Sequence, residues 1–464
     1  MPFIGRTEEL KKLNKQYKEP GATATLIYGR RRVGKSELIK HFLQVSAIQG
    51  LYYECKQTTQ ENNVSTLSNL YAEQVNLPPF AFSSIEDLLD YLFRTHTDKP
   101  YVLVLDEYPY LRQVTPGLDS ILQTLLDTYK HTSQLKLIIC GSFVDTMKSL
   151  LLTHNPLYGR FSLSIHLKAM DYYESAQFYP SFTNEDKIRL YSVFGGIPYY
   201  NQLINPALSV KDNIIELLAS PNARLESEVQ LYLQGELSKF TNANEVFETL
   251  AKGISKYKDI LDQSHVSSNP ALADVLKRLL LMEMIHKETP INDSKNKRRT
   301  AYYISDNMSL FYYRYIFRYA SPLRIMNSDA FYTRYIEKDF EETYVPKRFE
   351  HICRQFLIRQ NRQGLLNPII DAIGTYSYDL PTEHRNGEFD VVTHDDKGYI
   401  NYEVKFRNKP ISQIIIEKER SQMQTANLPF YSYGFFSRSG YTTNALTYIK
   451  NTQGRAYTLD DLYQ

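Results

Sequence analysis

Residues 29–36 have the spacing of a loop that binds the phosphates of a nucleotide. They read Gly-Arg-Arg-Arg-Val-Gly-Lys-Ser, which is the pattern G-x4-G-K-[ST]. The apolar run 24–28 before them predicts a strand, and residues 37–45 predict a helix. In that context backbone N–H groups surround phosphate oxygens, the lysine reaches the β- and γ-phosphates, and the serine hydroxyl can bind Mg²⁺. The residues expected to hold ATP and Mg²⁺ are Gly29, Arg30, Arg31, Arg32, Val33, Gly34, Lys35, Ser36 and Glu37.

Two adjacent carboxylates follow a second apolar run, residues 102–105. Open parallel sheets place their ligands at the carboxyl ends of the strands, where Asp106 and Glu107 are expected. Asp106 can then bind the Mg²⁺ held by Ser36, and Glu107 can orient an attacking water. The alternative is that both carboxylates belong to a solvated turn.

A third apolar run, residues 135–140, ends in Gly-Ser, and an arginine follows on a turn. Ser142 can hydrogen-bond the γ-phosphate or the water, and Arg160 can stabilise charge that develops on the γ-phosphate. The alternatives are a plain strand-to-turn serine and a surface arginine.

Length and composition limit the classes of protein that remain. The chain has 464 residues, a formal net charge of +2 and 42% hydrophobic residues, which suggests about three domains with real cores. Its three cysteines, Cys55, Cys140 and Cys353, have no metal-ligand spacing, and no apolar run is long enough to span a bilayer. We therefore expect a protein of the reducing cytoplasm with no membrane partner.

The middle of the chain predicts helices followed by a pair of strands. Residues 171–240 have helical spacing and predict a lid. Helices over 245–254, 257–263 and 269–282, then strands over 284–289 and 300–304, follow the order of a winged helix-turn-helix. The residues expected to contact DNA are Lys277 and Arg278 on the third helix and Lys295, Lys297, Arg298 and Arg299 at the hairpin tip. The alternative is a winged helix that binds protein, with cations that are only solvated.

The last 130 residues or so carry acidic and basic side chains on two predicted strands. Glu403 and Lys405 are two residues apart and share a strand face, and Asp390 lies on the preceding strand. Asp390 and Glu403 can hold Mg²⁺, Lys405 can activate a water, and Glu350 lies on the long helix before them. This spacing resembles the PD-(D/E)xK restriction-endonuclease-like superfamily, although Phe389 stands where that name has proline. An ordinary exposed strand is the alternative.

The chain as a whole resembles the archaeal-type P-loop ATPases of the STAND/AAA+ group, whose members carry a winged helix and a DUF234-type domain. The resemblance rests on the phosphate loop, the Asp106-Glu107 strand, Gly141-Ser142, and the segments 3–10, 156–160 and 195–200. It implies that Ile4, Gly5 and Arg6 lie against the adenine. It also implies that the turn at 196–198, which includes Pro198, lets the lid sense the nucleotide.

These features predict an α/β protein in five parts. The expected parts are a P-loop NTPase core with a parallel sheet (1–165), a helical lid (166–238), a winged helix-turn-helix (239–308), a helical linker (309–335) and an α/β restriction-endonuclease-like domain (336–464). The expected function is an ATP-hydrolysing switch that acts on DNA, with a possible homo-oligomer or protein partner. The alternatives are an ATP-toggled DNA-binding regulator or scaffold with an inactive nuclease-like domain, and a defence or toxin-like effector.

Overall fold

The computed structural model describes residues 3–45, 47–79, 81–230, 242–380, 385–425 and 428–464. The chain forms two compact units. One contains residues 1–169 together with 197–199, and the other contains residues 170–196 and 200–464.

The first unit is built on a sheet of five parallel strands in the order β2-β3-β4-β1-β5. Every residue of β3 and β4 is buried, as expected for central strands of a parallel sheet that is covered on both faces. The strands are β1 (Thr23–Tyr28), β2 (Gly50–Glu54), β3 (Tyr101–Asp106), β4 (Leu135–Gly141) and β5 (Phe161–His166).

Helices alternate with these strands and supply the rest of the core. Two of them start at hydroxyl caps, because Thr59 accepts from the N–H of Asn62 and Ser84 from that of Asp87. The helices are Thr7–Tyr17, Lys35–Val45, Gln60–Gln74, Ile85–Thr95, Tyr108–Val114, Leu118–Thr128 and Val144–Ser149. The predicted α/β class with a parallel P-loop sheet is confirmed.

The second unit begins with the helices that the sequence assigns to a lid: Tyr172–Ala176, Asn184–Phe194 and Val210–Leu217. A short helix, Pro198–Asn201, lies between the second and third of them. Arg189 joins the second helix to residues much later in the chain, since its Nε lies 2.7 Å from Glu341. Residues 170–196 therefore pack with the C-terminal part of the chain, and residues 231–238 of the predicted lid lie outside the described residues.

Three helices and a strand pair come next, in the order predicted for a winged helix. The helices are Ala243–Ala251, Tyr257–Gln263 and Asn269–Leu281, and the antiparallel strands are β6 (Ile285–Glu288) and β7 (Ala301–Ile304). The connection between the strands forms two 3₁₀ turns, Ile291–Asp293 and Lys297–Arg299.

A helical region rich in aromatic residues leads into the last domain. Phe311, Tyr312, Tyr313 and Tyr315 are buried, so most of this aromatic run packs into a core. Three of its segments have the wide turns of a π-helix: Tyr312–Phe317, Thr333–Glu337 and Phe340–Tyr344. The α-helices of this region are Asn307–Phe311, Ala320–Ile325, Ser328–Tyr332 and Val345–Arg362.

The C-terminal part contains a separate five-stranded sheet in the order β12-β11-β10-β9-β8. Strand β9 is antiparallel to both β8 and β10, whereas β10, β11 and β12 run parallel to one another. The strands are β8 (Ala372–Leu380), β9 (Arg385–Asp395), β10 (Gly398–Lys405), β11 (Phe430–Ser437) and β12 (Arg455–Thr458), with helices Gln413–Thr425 and Thr443–Asn451 and a final turn Asp461–Tyr463. None of the helices in the described ranges is long and apolar enough to cross a membrane.

Candidate nucleotide site and C-terminal site

The phosphate loop lies between the carboxyl end of β1 and the helix Lys35–Val45, as its motif requires. Its first glycine cannot be replaced without a clash. Gly29 has φ +157°, and a Cβ added there would lie 2.2 Å from the carbonyl oxygen of Leu167. The loop is therefore pressed against the residue that follows β5.

Two buried cations donate hydrogen bonds to backbone carbonyls of the phosphate loop. The Lys35 ammonium is buried and donates to the carbonyls of Gly29 at 3.0 Å and Arg30 at 3.2 Å. Arg6 is also buried and donates to the carbonyls of Val33 at 3.0 Å and Lys168 at 2.8 Å. The Arg6 side chain thus braces the loop, and the adenine contact that the resemblance implies for it stays a prediction. Ile4 and Gly5 are half-buried just before it, and their adenine role stays a prediction.

Ser36 and Asp106, which the sequence predicts as the Mg²⁺ ligands, contact each other. The Ser36 hydroxyl donates to Oδ2 of Asp106 at 2.7 Å, and the Tyr52 hydroxyl donates to the same oxygen. Burial alone would raise the pKa of Asp106, but the hydrogen bonds from Ser36 and Tyr52 outweigh it and lower that pKa below its ordinary value. A hydroxyl and an ionised carboxylate form a hard oxygen donor set that fits Mg²⁺.

Tyr52 is a member of this site that the sequence does not reveal. It lies on β2, which is the neighbour of β3, and the register places Glu54 beside Asp106. Tyr52 lies two residues before Glu54 on β2, and its hydroxyl donates to the carboxylate of Asp106. Only the order of the strands in the sheet could have indicated it.

Glu107 and Ser142 also meet. Oε2 of Glu107 accepts from the backbone N–H of Ser142 at 3.2 Å and from its hydroxyl at 3.0 Å. Glu107 itself has left-handed backbone angles, φ 48° and ψ 42°, which turn the chain sharply after β3. The two residues that the sequence assigns to the water and the γ-phosphate are therefore neighbours.

The Gly-Ile-Pro-Tyr turn contributes two contacts to the loop. A Cβ built on Gly34 would lie 3.8 Å from Cγ of Pro198. The guanidinium of Arg32 lies 4.1 Å from the centre of the Tyr199 ring, a cation–π contact. Pro198 and Tyr199 thus lie beside the phosphate loop, and the role of this turn in sensing the nucleotide stays a prediction.

The prediction that Arg160 acts on the γ-phosphate of its own chain is wrong. Arg160 precedes the first residue of β5, and Phe161 pairs with Ala24 at the start of β1. The phosphate loop follows the other end of β1, five residues or about 16 Å away. Arg160 instead pairs with Asp127, with its Nη2 3.1 Å from Oδ2. Parallel strands place the start of β5 at the opposite edge of the sheet from the nucleotide.

The chain was compared with known families and curated proteins. Residues 3–203 match a family described as an ATPase domain predominantly from Archaea, and residues 312–422 match DUF234, described as archaeal and bacterial proteins of unknown function. An uncharacterized protein of Methanocaldococcus jannaschii is 29% identical over 412 residues, which cover 88% of each chain. An uncharacterized ATP-binding protein of the same organism is 47% identical over 47 residues, 10% of this chain and 80% of that protein.

The chain therefore contains an ATPase domain of the kind found predominantly in Archaea over residues 3–203 and a DUF234 domain over residues 312–422. Among solved structures, a Walker-type ATPase of Pyrococcus abyssi matches with a TM-score of 0.49 and 19% identity, over 67% of this chain and 96% of that one. The ORC2 protein of Aeropyrum pernix, in ADPNP and ADP complexes, matches with a TM-score of 0.46 and 13% identity, over 69% and 96%. We draw no functional conclusion from these two structures.

In the DUF234-containing part, the sheet brings the predicted acidic residues together. Strands β9 and β10 are antiparallel, with Asn401 opposite Val392. Glu403 lies two residues beyond Asn401 and Asp390 two residues before Val392, and the charge of Asp390 adds to burial, the larger cause, in raising the pKa of Glu403. Glu350 lies on the helix Val345–Arg362 and is coupled to Asp390, whose charge helps to raise the pKa of Glu350.

Two lysines lie between these carboxylates. Lys347 Nζ is 2.6 Å from Oδ1 of Asp390 and 2.8 Å from Oε2 of Glu350. Lys405 contacts Glu403 and lies 3.4 Å from Oε1 of Glu419 on the helix Gln413–Thr425. Lys347 and Glu419 are the residues of this cluster that the sequence did not indicate.

Lys347 and Lys405 change the electrostatics of the carboxylate cluster. Burial raises the pKa of Glu350 to about 7 even though Lys347 acts to lower it, and burial likewise raises the pKa of Glu403. Across the described ranges, no group of three or more His, Cys, Asp or Glu side chains is arranged to hold a metal ion. A lysine ammonium lies beside each carboxylate of the predicted metal pair, Lys347 beside Asp390 and Lys405 beside Glu403, and the metal role of the pair stays a prediction.

The predicted nucleic-acid contacts divide into two groups. Lys277, Arg278, Lys295, Lys297 and Arg298 are exposed. Arg278 also pairs with Asp274 on its own helix, its Nε 3.0 Å from Oδ2, and Arg299 has contacts that reach the C-terminal sheet. Its Nη1 donates to the hydroxyl of Ser377 on β8 at 2.8 Å, and its Nε lies 3.4 Å from Asp293. Fewer cations of the β6–β7 connection are therefore exposed than predicted, since Arg299 joins this connection to the C-terminal sheet.

We expect Tyr52→Phe to weaken Mg²⁺ binding in the presence of ATP by about tenfold, because Asp106 loses a hydrogen bond that orients it and lowers its pKa. The measurement is a Mg²⁺ titration of bound fluorescent ATP. Tyr101→Phe is the control, since its hydroxyl donates to Gln74 at 2.8 Å and does not touch Asp106. Equal Mg²⁺ affinity in the two variants would show that Tyr52 does not support the site.

Proposed function

We propose that this ATPase hydrolyses ATP with Mg²⁺ and acts as a switch on nucleic acid. The single observation that carries the proposal is the hydrogen bond between Ser36 and Asp106, with Glu107 next in sequence and bonded to Ser142. A metal-ligating pair and a water-orienting carboxylate then lie at one edge of the sheet. Phosphoryl transfer needs both.

The residues of the site have separate tasks in this proposal. Lys35 leaves the carbonyls of Gly29 and Arg30 to contact phosphate, while Ser36 and Asp106 hold Mg²⁺, which neutralises charge on the phosphates when bound. Glu107 orients the attacking water, and Ser142 fixes the position of the Glu107 carboxylate. A protein that only binds the nucleotide would not need Glu107.

Glu107→Gln is expected to keep ATP binding and to lower turnover by about 100-fold or more, because an amide orients but cannot accept the proton of the water. The measurement is phosphate release beside ATP binding by calorimetry. Glu54→Gln, at the end of the neighbouring strand β2, is the matched control and should keep full turnover. A Glu107→Gln variant that still hydrolyses ATP at the wild-type rate would refute the role.

Contact with duplex DNA is supported by the exposed cations of the winged-helix segment. Lys295, Lys297 and Arg298 lie on the connection between β6 and β7, and Lys277 and Arg278 lie on the third helix. Such cations neutralise phosphates and make affinity depend on salt.

Replacing Lys295, Lys297 and Arg298 by Gln should weaken duplex binding and reduce the slope of log K against log salt by about 2 to 3, since each phosphate contact contributes about 0.9. Fluorescence anisotropy at several salt concentrations measures both quantities. The control replaces Lys12, Lys15 and Lys18, three exposed lysines at or just after the first helix, by Gln. If both triple variants change the slope equally, the cations of the β6–β7 connection have no specific role.

The C-terminal domain has two candidate functions. One is metal-dependent cleavage of DNA through Glu350, Asp390, Glu403 and Lys405. The other is a nuclease-like domain that binds without cutting, so that the chain is an ATP-toggled regulator or scaffold. The position of Lys347 between Asp390 and Glu350 favours the second, because its ammonium already neutralises the charge that would attract a metal.

For a domain that binds without cutting, the full chain should leave supercoiled DNA intact in Mg²⁺ or Mn²⁺, and Lys347→Met should raise Mn²⁺ affinity in calorimetry because two carboxylates lose their counter-charge. Lys450→Met, on the helix Thr443–Asn451, is the control. If the wild-type chain nicks DNA and Lys405→Ala abolishes that nicking, the cutting function is established instead.

A further inference from the structure

A pocket of about 290 Å³ opens beside the aromatic helical region of the second unit. Its lining combines tyrosine rings with charged side chains: Lys252, Arg314, Arg318, Tyr319, Tyr335 and Asp339. None of these residues belongs to the phosphate loop, to the β6–β7 connection or to the Glu350–Asp390 cluster. The pocket is therefore separate from those three sites.

Two tyrosines form one wall of this pocket. The rings of Tyr319 and Tyr335 have centroids 4.5 Å apart and planes inclined by 32°, and both rings are only half-buried. Tyrosine hydroxyls and rings at a pocket mouth offer a flat, partly apolar surface. Planar bases stack on such rings, and each stacked base contributes measurable affinity.

Two arginines stand over these rings. The guanidinium of Arg318 lies 5.3 Å from the centre of the Tyr319 ring, and that of Arg334 lies 5.5 Å from the centre of the Tyr335 ring. Both arginines are exposed, and within the described part of the chain no carboxylate pairs with either. Each ring thus has a cation beside it that is available to an anion.

The other charges of the pocket are compensated. Arg314 holds Asp339 with two bonds, Nε to Oδ2 at 2.7 Å and Nη2 to Oδ1 at 2.8 Å. Lys252 Nζ lies 2.8 Å from Glu248. Within the lining the remaining charge is that of Arg318, and Arg334 stands beside the pocket at the Tyr335 ring, so the site favours an anionic ligand.

The backbone around the pocket has an uncommon form. Tyr313, Arg314 and Tyr315 lie in one π-helical segment, Tyr335 lies in a second, and Asp339 immediately precedes the third. Turns of this kind are rare and are often found at functional sites. Here they present rings and guanidinium groups from two segments to one pocket.

We propose that this pocket binds a nucleoside phosphate, with the base on Tyr319 and Tyr335 and the phosphate on Arg318 and Arg334. Its volume is at the lower end of the range for small-molecule sites and suits one nucleotide. The ligand is either a free mononucleotide or one nucleotide of a single strand, because both present the same base and phosphate. The proposal does not depend on hydrolysis of ATP or on cleavage by the C-terminal domain.

The test uses the full chain and a fluorescein-labelled single strand of twelve thymidines. Tyr319→Leu with Tyr335→Leu should weaken binding about tenfold, whereas Tyr319→Phe with Tyr335→Phe should stay within about twofold because the ring is kept. Arg318→Gln with Arg334→Gln should weaken binding and lower the salt slope by about 1.4, which is about 0.7 for each phosphate contact to a single strand. Tyr158→Leu and the pair Arg362→Gln with Arg407→Gln are controls on exposed side chains.

Competition with cytidine monophosphate separates the two sources of the ligand. If cytidine monophosphate displaces the strand from the wild-type chain but not from the leucine variant, the ligand is a free nucleotide. If it does not displace the strand and the leucine variant loses strand binding, the ligand is a single strand. Unchanged strand binding in both the leucine and glutamine variants would overturn the proposal, as would equal losses in the leucine and phenylalanine pairs. If the leucine variant does not fold by circular dichroism, the arginine pair decides, with loss of strand binding supporting the site and unchanged binding overturning it. Binding of duplex DNA through the β6–β7 connection is measured separately and can fail without affecting this result.

Discussion

The hydrogen bond between Ser36 and Asp106 is the contact on which the nucleotide site depends. It joins the helix that follows the phosphate loop to the end of β3 and keeps a buried carboxylate ionised. Without such donors, burial would favour the protonated acid and the site would lose its charge for a metal. Tyr52 adds a second donor from β2, so three neighbouring elements define the position of one carboxylate.

The sequence was sufficient for the parts of this site that local spacing determines. The loop motif predicts its own strand and helix, and an apolar run followed by Asp106-Glu107 predicts a strand end at the ligand edge. The prediction for Arg160 was wrong because nothing in the local sequence indicates at which end of β5 the residue lies. The parallel register places Arg160 at the sheet edge away from the phosphate loop. Tyr52 was missed because the proximity of β2 to β3 is a property of strand order.

The same distinction explains the C-terminal site. Strand alternation places Glu403 and Lys405 on one face, and the hairpin of β9 and β10 brings Asp390 close enough to Glu403 for its charge to act on that carboxyl. Lys347 and Glu419 lie on helices, and no local pattern tells how a helix packs over a sheet. Yet the Lys347 ammonium, 2.6 Å from Asp390, decides the electrostatic character of the cluster. A motif of acidic residues therefore predicts a site more securely than it predicts a metal, because the counter-charge can come from a distant lysine.

The short segment 197–199 gives the phosphate loop a direct connection to the rest of the chain. These three residues belong to the first unit, while the residues on either side of them, Gly196 and Tyr200, belong to the second. Pro198 lies beside Gly34, and Arg32 lies over the Tyr199 ring. The segment that contacts Arg32 and Gly34 is therefore joined at both ends by peptide bonds to residues of the other unit.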